Sequence, residues 1–394
     1  MMGRLRSLFG TVVVAAAAVG SSSALDATPT GDLVAPPPGT VEWAAERTEA
    51  GDRTPAPGAG TPSEVSEFFA RLDGDETDRL AREHPGVVGN LDGVPVDVRL
   101  DANERALRQA LSEVEARASD GELIGERRRE AADRAEVYRD LLAGDRRFLV
   151  FDPRGRGLVA EVFGDVEDAD SVTVLVPGND SDLDGFDQPT APTRSAARAG
   201  EALFTEQRAR HPEVRTAVIA WSGYVSPRGL GLDAATATLA EAGAVRLERL
   251  LAGLATLGRD AGTPPTAHLV CHSYGSVVCS LAARRGDLDV GSLVAVGSPG
   301  LRAETAAELS GANQVWATRA DDDWIGWVAG LSLGGLGHGT DPTEPSFGAR
   351  LIPTGTASGH DGYFVPGTES LGRLAEITVA HGVGVPGRTT PDAP

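Results

Sequence analysis

The run His268-Leu269-Val270-Cys271-His272-Ser273-Tyr274-Gly275-Ser276 sets a serine where an apolar strand pattern gives way to a helical one. A hydroxyl held on a tight, strained strand-to-helix turn projects above a sheet and can attack an acyl carbon. The turn needs small residues two places before and two places after the serine, so that helix and strand can pass closely. Gly275 supplies the second; Cys271 stands where glycine is usual, a departure its modest size makes tolerable. Ser273 is the candidate nucleophile. The plain alternative is an ordinary turn with a capping serine.

A serine hydroxyl is a weak nucleophile at neutral pH and needs a general base, itself oriented by an acid. On a turn of this kind the acid and then the histidine follow the serine along the chain. Asp321-Asp322-Asp323 closes an apolar strand pattern over 314–318. Asp323, which precedes Trp324-Ile325, is preferred over Asp321 and Asp322; the alternative is a solvated acidic turn. The base belongs between the final strand and the final helix. His360, in Ser358-Gly359-His360-Asp361-Gly362-Tyr363, follows a strand pattern at 349–352 and precedes a helical one at 370–381. His338, in the glycine-rich run 334–339, comes too early. His272 reads as a packing residue, and His84, His211, His268 and His381 as surface or packed ones. A tetrahedral intermediate also needs two backbone N–H donors. Tyr274, following the serine, is one; Asn179 or its neighbour Asp180, after Pro177-Gly178, is the other, with Gly178 free to take unusual dihedrals.

These residues need a scaffold. Short apolar strands over 147–151 and 158–163 flank Arg154-Gly155-Arg156-Gly157, a hairpin signal. Strands at 171–176, 217–221, 267–271, 292–296, 314–318 and 349–352 then alternate with helices at 193–210, 233–257, 274–285 and 370–381. Alternation of this kind predicts an α/β fold, a mostly parallel central sheet with helices on both faces. Upstream, helical spacing over 64–72, 76–83, 101–118 and 126–143 predicts a small helical subdomain. The expected divisions are 1–24, a signal peptide; 25–62, a disordered linker rich in Pro, Gly, Ala and Thr; 63–145, the helical subdomain; 146–385, the catalytic domain; and 386–394, a tail. Arg4 and Arg6 before a short apolar run, then Ser22-x-Ala24, carry the signal-peptide reading. Secretion or cell-surface display is expected, with no integral span after cleavage; an uncleaved anchor is the rival.

The net charge of −21 disfavours nucleic acid and anionic membranes as partners, since phosphate contacts need clustered cations. All basic residues are Arg, which reads as base-composition bias. Cys271 and Cys279 are too few for a disulfide scaffold, and two buried free thiols are expected. Asp180-Ser181-Asp182-Leu183-Asp184-Gly185 matches the first half of a calcium loop, but its twelfth position is Ala191 and no helix precedes it, so no metal is assigned. The stretch 324–336, rich in Trp, Leu and Gly, suits either an apolar lid or a packed loop.

Together these motifs carry a resemblance. Residues 146–385 resemble an α/β-hydrolase. Gly89 to Pro95 with Arg99 and Asp101-Ala102-Asn103, then Val176-Pro177-Gly178, Trp221-Ser222-Gly223-Tyr224, His272-Ser273-Tyr274-Gly275, Gly297-Ser298-Pro299-Gly300 and His338-Gly339-Thr340-Asp341-Pro342, resemble an actinobacterial α/β-hydrolase family catalogued as a domain of unknown function. The resemblance implies the α/β-hydrolase fold preceded by a helical piece, with Ser273, Asp323 and His360 as triad. It implies no substrate, and no cofactor is expected. The expectation is a secreted, monomeric serine hydrolase acting on a carboxylic ester or related acyl compound, small or lipid-like. The alternatives are an acyltransferase using the same triad and a non-catalytic binding protein on the same fold.

Overall fold

A computed structural model describes residues 33–121, 125–257, 264–286, 288–330 and 332–379. The signal-peptide reading, His381 and the 386–394 tail lie outside the described residues. The chain opens with helices α1 (Thr40–Ala45), α2 (Pro62–Phe69), α3 (Gly74–Glu83), α4 (Pro85–Val88), α5 (Val96–Ser119) and α6 (Glu126–Leu141). Then come β1 (Arg147–Asp152), β2 (Leu158–Phe163), β3 (Ser171–Val176), α7 (Ala196–Arg210), β4 (Thr216–Ser222), α8 (Leu232–Ala235), α9 (Thr238–Leu254), β5 (Thr266–His272) and α10 (Gly275–Arg284). β6 (Ser292–Val296), β7 (Val315–Thr318), the small hairpin β8 (Ser332–Leu333) and β9 (Leu336–Gly337), β10 (Arg350–Leu351) and α11 (Glu369–Val379) complete it.

One eight-stranded sheet runs in the order β1-β2-β4-β3-β5-β6-β7-β10. The β1–β2 hairpin is antiparallel, β2 pairs antiparallel with β4, and every later pairing is parallel. Side chains on a strand alternate between faces. Val172, Val174, Ile219, Leu269 and Leu293 therefore pack on one side with Leu247 and Leu250 of α9 and Val277 of α10. Leu175, Val218, Val270 and Val294 pack on the other with Leu203 of α7 and Leu371 and Leu374 of α11. Burial on both faces is why these strands read as continuous apolar runs.

The predicted helix at 233–257 is broken at Thr236. There the Tyr274 hydroxyl donates to the Thr236 carbonyl (2.9 Å) and accepts from the Ala240 N–H (3.2 Å), taking backbone groups an unbroken helix would use itself.

One expected division is corrected, and the helical piece that follows it is present as expected. From residue 33 the 25–62 segment is packed, not a disordered linker. Trp43 is fully buried among Val65, Phe68 and Leu80, and its indole N–H donates to the Pro55 carbonyl (2.7 Å). Arg246 of α9 donates to the carbonyls of Leu33 (3.1 Å) and Ala35 (3.2 Å). The 63–145 helices share the sheet's core, with Val96 and Leu100 packed in one cluster with Leu149 and Trp221. Buried Arg99 and Asn103 reach the carbonyls of Leu149 (3.1 Å) and Phe148 (2.9 Å) on β1 while both hold the Gly89 carbonyl.

Candidate active site

Ser273 stands between β5 and α10 with φ at +53°, a left-handed conformation unusual for a non-glycine residue. Strain of this kind persists only where the surroundings enforce it. Here a Cβ at Gly275 would meet the Val176 carbonyl oxygen at 2.3 Å, so only glycine lets α10 start this close to β3. A Cβ at Gly178 would meet the Ser273 Cβ at 2.6 Å, so the β3 loop can press against the serine only without a side chain there. The Ser273 N–H donates to Val296 O (2.9 Å), and the Ser276 hydroxyl donates to the Ser273 carbonyl (2.6 Å).

The cysteines depart from expectation. Cys271 and Cys279 are not free thiols; they form a disulfide between the end of β5 and α10. Their Cα atoms lie 6.5 Å apart, inside the reach of a disulfide, because the tight turn folds the helix back over the strand.

His360 sits between β10 and α11. Its Nε2 lies 2.8 Å from the Ser273 hydroxyl, and its Nδ1 lies 2.9 and 3.0 Å from the two carboxylate oxygens of Asp323. Asp323 follows β7 and is buried. Burial alone would raise its pKa, but hydrogen bonds from His360 and from the Tyr363 hydroxyl (2.6 Å) outweigh that and hold it below the ordinary carboxylate value. The geometry separates the three aspartates. Asp321 is exposed, and Asp322 accepts from the Ser358 hydroxyl (2.6 Å) and the Gly359 N–H (2.7 Å), tying down the loop that carries His360. His338 lies elsewhere in the hydrogen-bond network. Its Nε2 meets the Ala234 carbonyl at 2.8 Å, its Nδ1 accepts from Arg302 (3.3 Å), and burial presses its pKa down to about 4.

The Asp180 N–H donates to the Pro227 carbonyl (2.9 Å), which leaves Asn179 as the candidate second donor beside Tyr274. Tyr224 buttresses that loop: its hydroxyl donates to the Pro177 carbonyl (2.7 Å). Burial raises the phenols of both Tyr224 and Tyr363. Sequence reasoning missed Tyr224, Tyr363 and the packing of Trp324 on His360 (ring centroids 4.8 Å apart). Tyr224 closes the Trp221-to-Tyr224 motif and Tyr363 follows His360 by three places, but nothing in the spacing says what either touches.

The aspartates of the 180–185 loop pair with arginines. Asp182 meets Arg228 (3.1 Å), Asp184 meets Arg134 (3.0 Å) and Asp180 lies 3.8 Å from Arg194. Among the described residues one other group, Glu46, Glu83 and His84, could gather three ligand atoms, but Arg79 bonds both carboxylates (3.1 and 2.9 Å).

Ser273 and His360 open into a cavity of about 400 Å³, walled by Leu175, Ala199, Trp324 and Phe364 and by the polar Thr193, Arg194 and Asp361. Residues 152–333 match the sequence profile of a family described as alpha/beta hydrolase. The chain has an α/β-hydrolase fold. Two curated relatives, uncharacterised proteins from two strains of Mycobacterium tuberculosis, are each 29% identical to this chain over 381 residues, covering 83% of it and 57% of theirs. It thus spans somewhat over half the length of these relatives. Solved structures similar to it include carboxyl esterase 2 of Tuber melanosporum (12% identity, 60% of this chain and 86% of that one, TM-score 0.35). Another is esterase LipW of Mycobacterium marinum (13% identity, 76% and 96%, TM-score 0.31). Among the described residues no helix is long and apolar enough to cross a membrane.

Proposed function

We propose that this protein of α/β-hydrolase fold is an exported serine hydrolase that cleaves a carboxylic ester or a related acyl compound. The observation that carries the reading is the continuous chain Ser273 Oγ, His360 imidazole, Asp323 carboxylate, set on a strained turn at the wall of a 400 Å³ cavity. In the proposed reaction His360 Nε2 takes the Ser273 proton as Oγ attacks the acyl carbon. Asp323 holds the imidazole in the Nδ1–H tautomer and stabilises the imidazolium that forms. The N–H groups of Tyr274 and Asn179 receive the oxyanion. His360 returns the proton to the leaving alcohol, and water, deprotonated by the same imidazole, hydrolyses the acyl-enzyme. Export rests on the signal-like terminus, and the Cys271–Cys279 disulfide supports it, because such bonds persist in oxidising compartments.

The test is labelling with a fluorophosphonate probe, followed by hydrolysis of activated esters of graded acyl length. Labelling lost in Ser273→Ala, with ester turnover in the parent, is the expected result; a parent that neither labels nor turns over any ester sinks the reading.

A further inference from the structure

The loop carrying His360 is anchored at three places. Asp322 takes the Ser358 hydroxyl and the Gly359 N–H, and Tyr363 takes the Ala320 N–H (2.9 Å) while donating to Asp323. Both anchors tie the loop to the end of β7. The third runs to the other partner of the reaction. The Nε2 of His272, the residue directly before the nucleophile, lies 2.7 Å from the His360 carbonyl oxygen. A carbonyl only accepts, so His272 carries its proton on Nε2 and donates it. The ring stands 4.8 Å from that of His360 and is boxed by Tyr363 (6.1 Å) and Phe364 (6.0 Å). A packing residue would need none of this polarity.

We infer that His272 is a positioning residue for the reaction: its Nε2–H clamps the backbone of the base to the strand that carries the nucleophile, setting the 2.8 Å separation of His360 from Ser273. The inference rests on the proposed triad. The clamp depends on the imidazole staying neutral and in one tautomer. Burial, with His360 adjacent, presses its pKa down to about 3, so it does not compete for the reaction's proton near neutrality. Displacements of about 1 Å between reacting groups can cost two orders of magnitude in rate. The clamp acts on such a distance without touching the substrate's reacting atoms.

Two variants separate donor from shape. His272→Phe keeps an aromatic ring and removes the donor; His272→Gln keeps an amide N–H near the Nε2 position and removes the ring. On one activated ester, the Phe variant should lose about 10- to 100-fold in kcat with KM changed less than about twofold. The Gln variant should recover most of that loss. A Phe variant with parental kcat, or one better than the Gln variant, reduces His272 to packing and overturns the inference. So does a Gln variant as inactive as His360→Ala, since His272 would then be handling the proton. ¹⁵N-histidine spectra give a reading independent of turnover: His272 should persist as the Nε2–H tautomer between about pH 5 and 8, and titration there or the Nδ1–H form overturns the clamp. A parent that neither labels nor hydrolyses removes the triad reading and this one with it. A labelled parent with an indifferent Phe variant removes this one alone.

Discussion

Asp323 is a buried carboxylate held ionised by His360 Nδ1, the Tyr363 hydroxyl and the Ile325 N–H (2.9 Å). Hydrogen bonds to a charged group contribute about 1.5–3 kcal/mol each. Tyr363→Phe should therefore lower stability by about 2 kcal/mol in denaturant unfolding and cut kcat by about an order of magnitude through a loosened acid; an unchanged kcat would leave Tyr363 a packing residue. The proposed triad should behave as a unit. Ser273→Ala and His360→Ala should each lose several orders of magnitude in kcat, Asp323→Asn most of the activity, and adding Asp323→Asn to Ser273→Ala almost nothing more. Asp321→Asn should stay near the parent on the same ester, since that side chain is exposed and outside the network. The placement of Ser273 on the strand-to-helix turn and of His360 between the last strand and the last helix was legible because such a turn has a local signature and chain order fixes the second position. Tyr363, Tyr224 and the His272 clamp were not, because their partners lie 40, 47 and 88 positions away, across loops whose packing no short motif encodes.

At the scale of elements, strands β3 to β6 were readable because sheet strands covered on both faces must be apolar throughout. The break between α8 and α9 was not, since it depends on the Tyr274 hydroxyl arriving from the turn between β5 and α10. The disulfide was equally hidden: whether residues eight apart meet depends on how sharply the chain turns at Ser273. Replacing both Cys271 and Cys279 by alanine should cost about 2–3 kcal/mol by the loop-entropy argument, and the native protein should take up no thiol-alkylating reagent until unfolded and reduced. His338 ties the loop after β9 to α8 through Ala234, and its buried imidazole resists protonation down to about pH 4. In the unfolded chain the same group titrates near its ordinary 6.5, so the unfolded state binds the extra proton first. Stability should therefore fall as pH drops from about 6.5 to about 4, by about 3 kcal/mol from this group, and level off below. His272 adds to the same slope. His338→Gln, which keeps a donor toward the Ala234 carbonyl but cannot titrate, should flatten the slope by about half in urea midpoints taken between pH 7 and 4.5; an unaltered slope would mean that His338 charges as readily folded as unfolded.

At the scale of the molecule, composition misled where packing was local and unusual. Residues 33–61 are rich in proline and glycine, which reads as linker, yet the segment runs along the protein as a belt. Arginines take up backbone carbonyls along it: Arg154 holds the Pro36 carbonyl (2.8 Å), Arg246 those of Leu33 and Ala35, and Arg249 that of Gly60 (2.9 Å). Trp43 is the belt's anchor, fully buried in the cluster that also takes Val87 and Leu91. Truncating a buried tryptophan typically costs about 3–5 kcal/mol, from lost transfer energy and the cavity left behind. Trp43→Ala should therefore cost that much in chemical denaturation, and removing residues 1–61 at least as much, because Arg246 then loses the two carbonyls it holds. Limited proteolysis of the native protein probes the same packing without a substitution: a packed belt resists cleavage between 33 and 61, whereas a linker is cut there first. Rapid cleavage inside that span, together with a Trp43→Ala variant as stable as the parent, would restore the linker that the composition suggests.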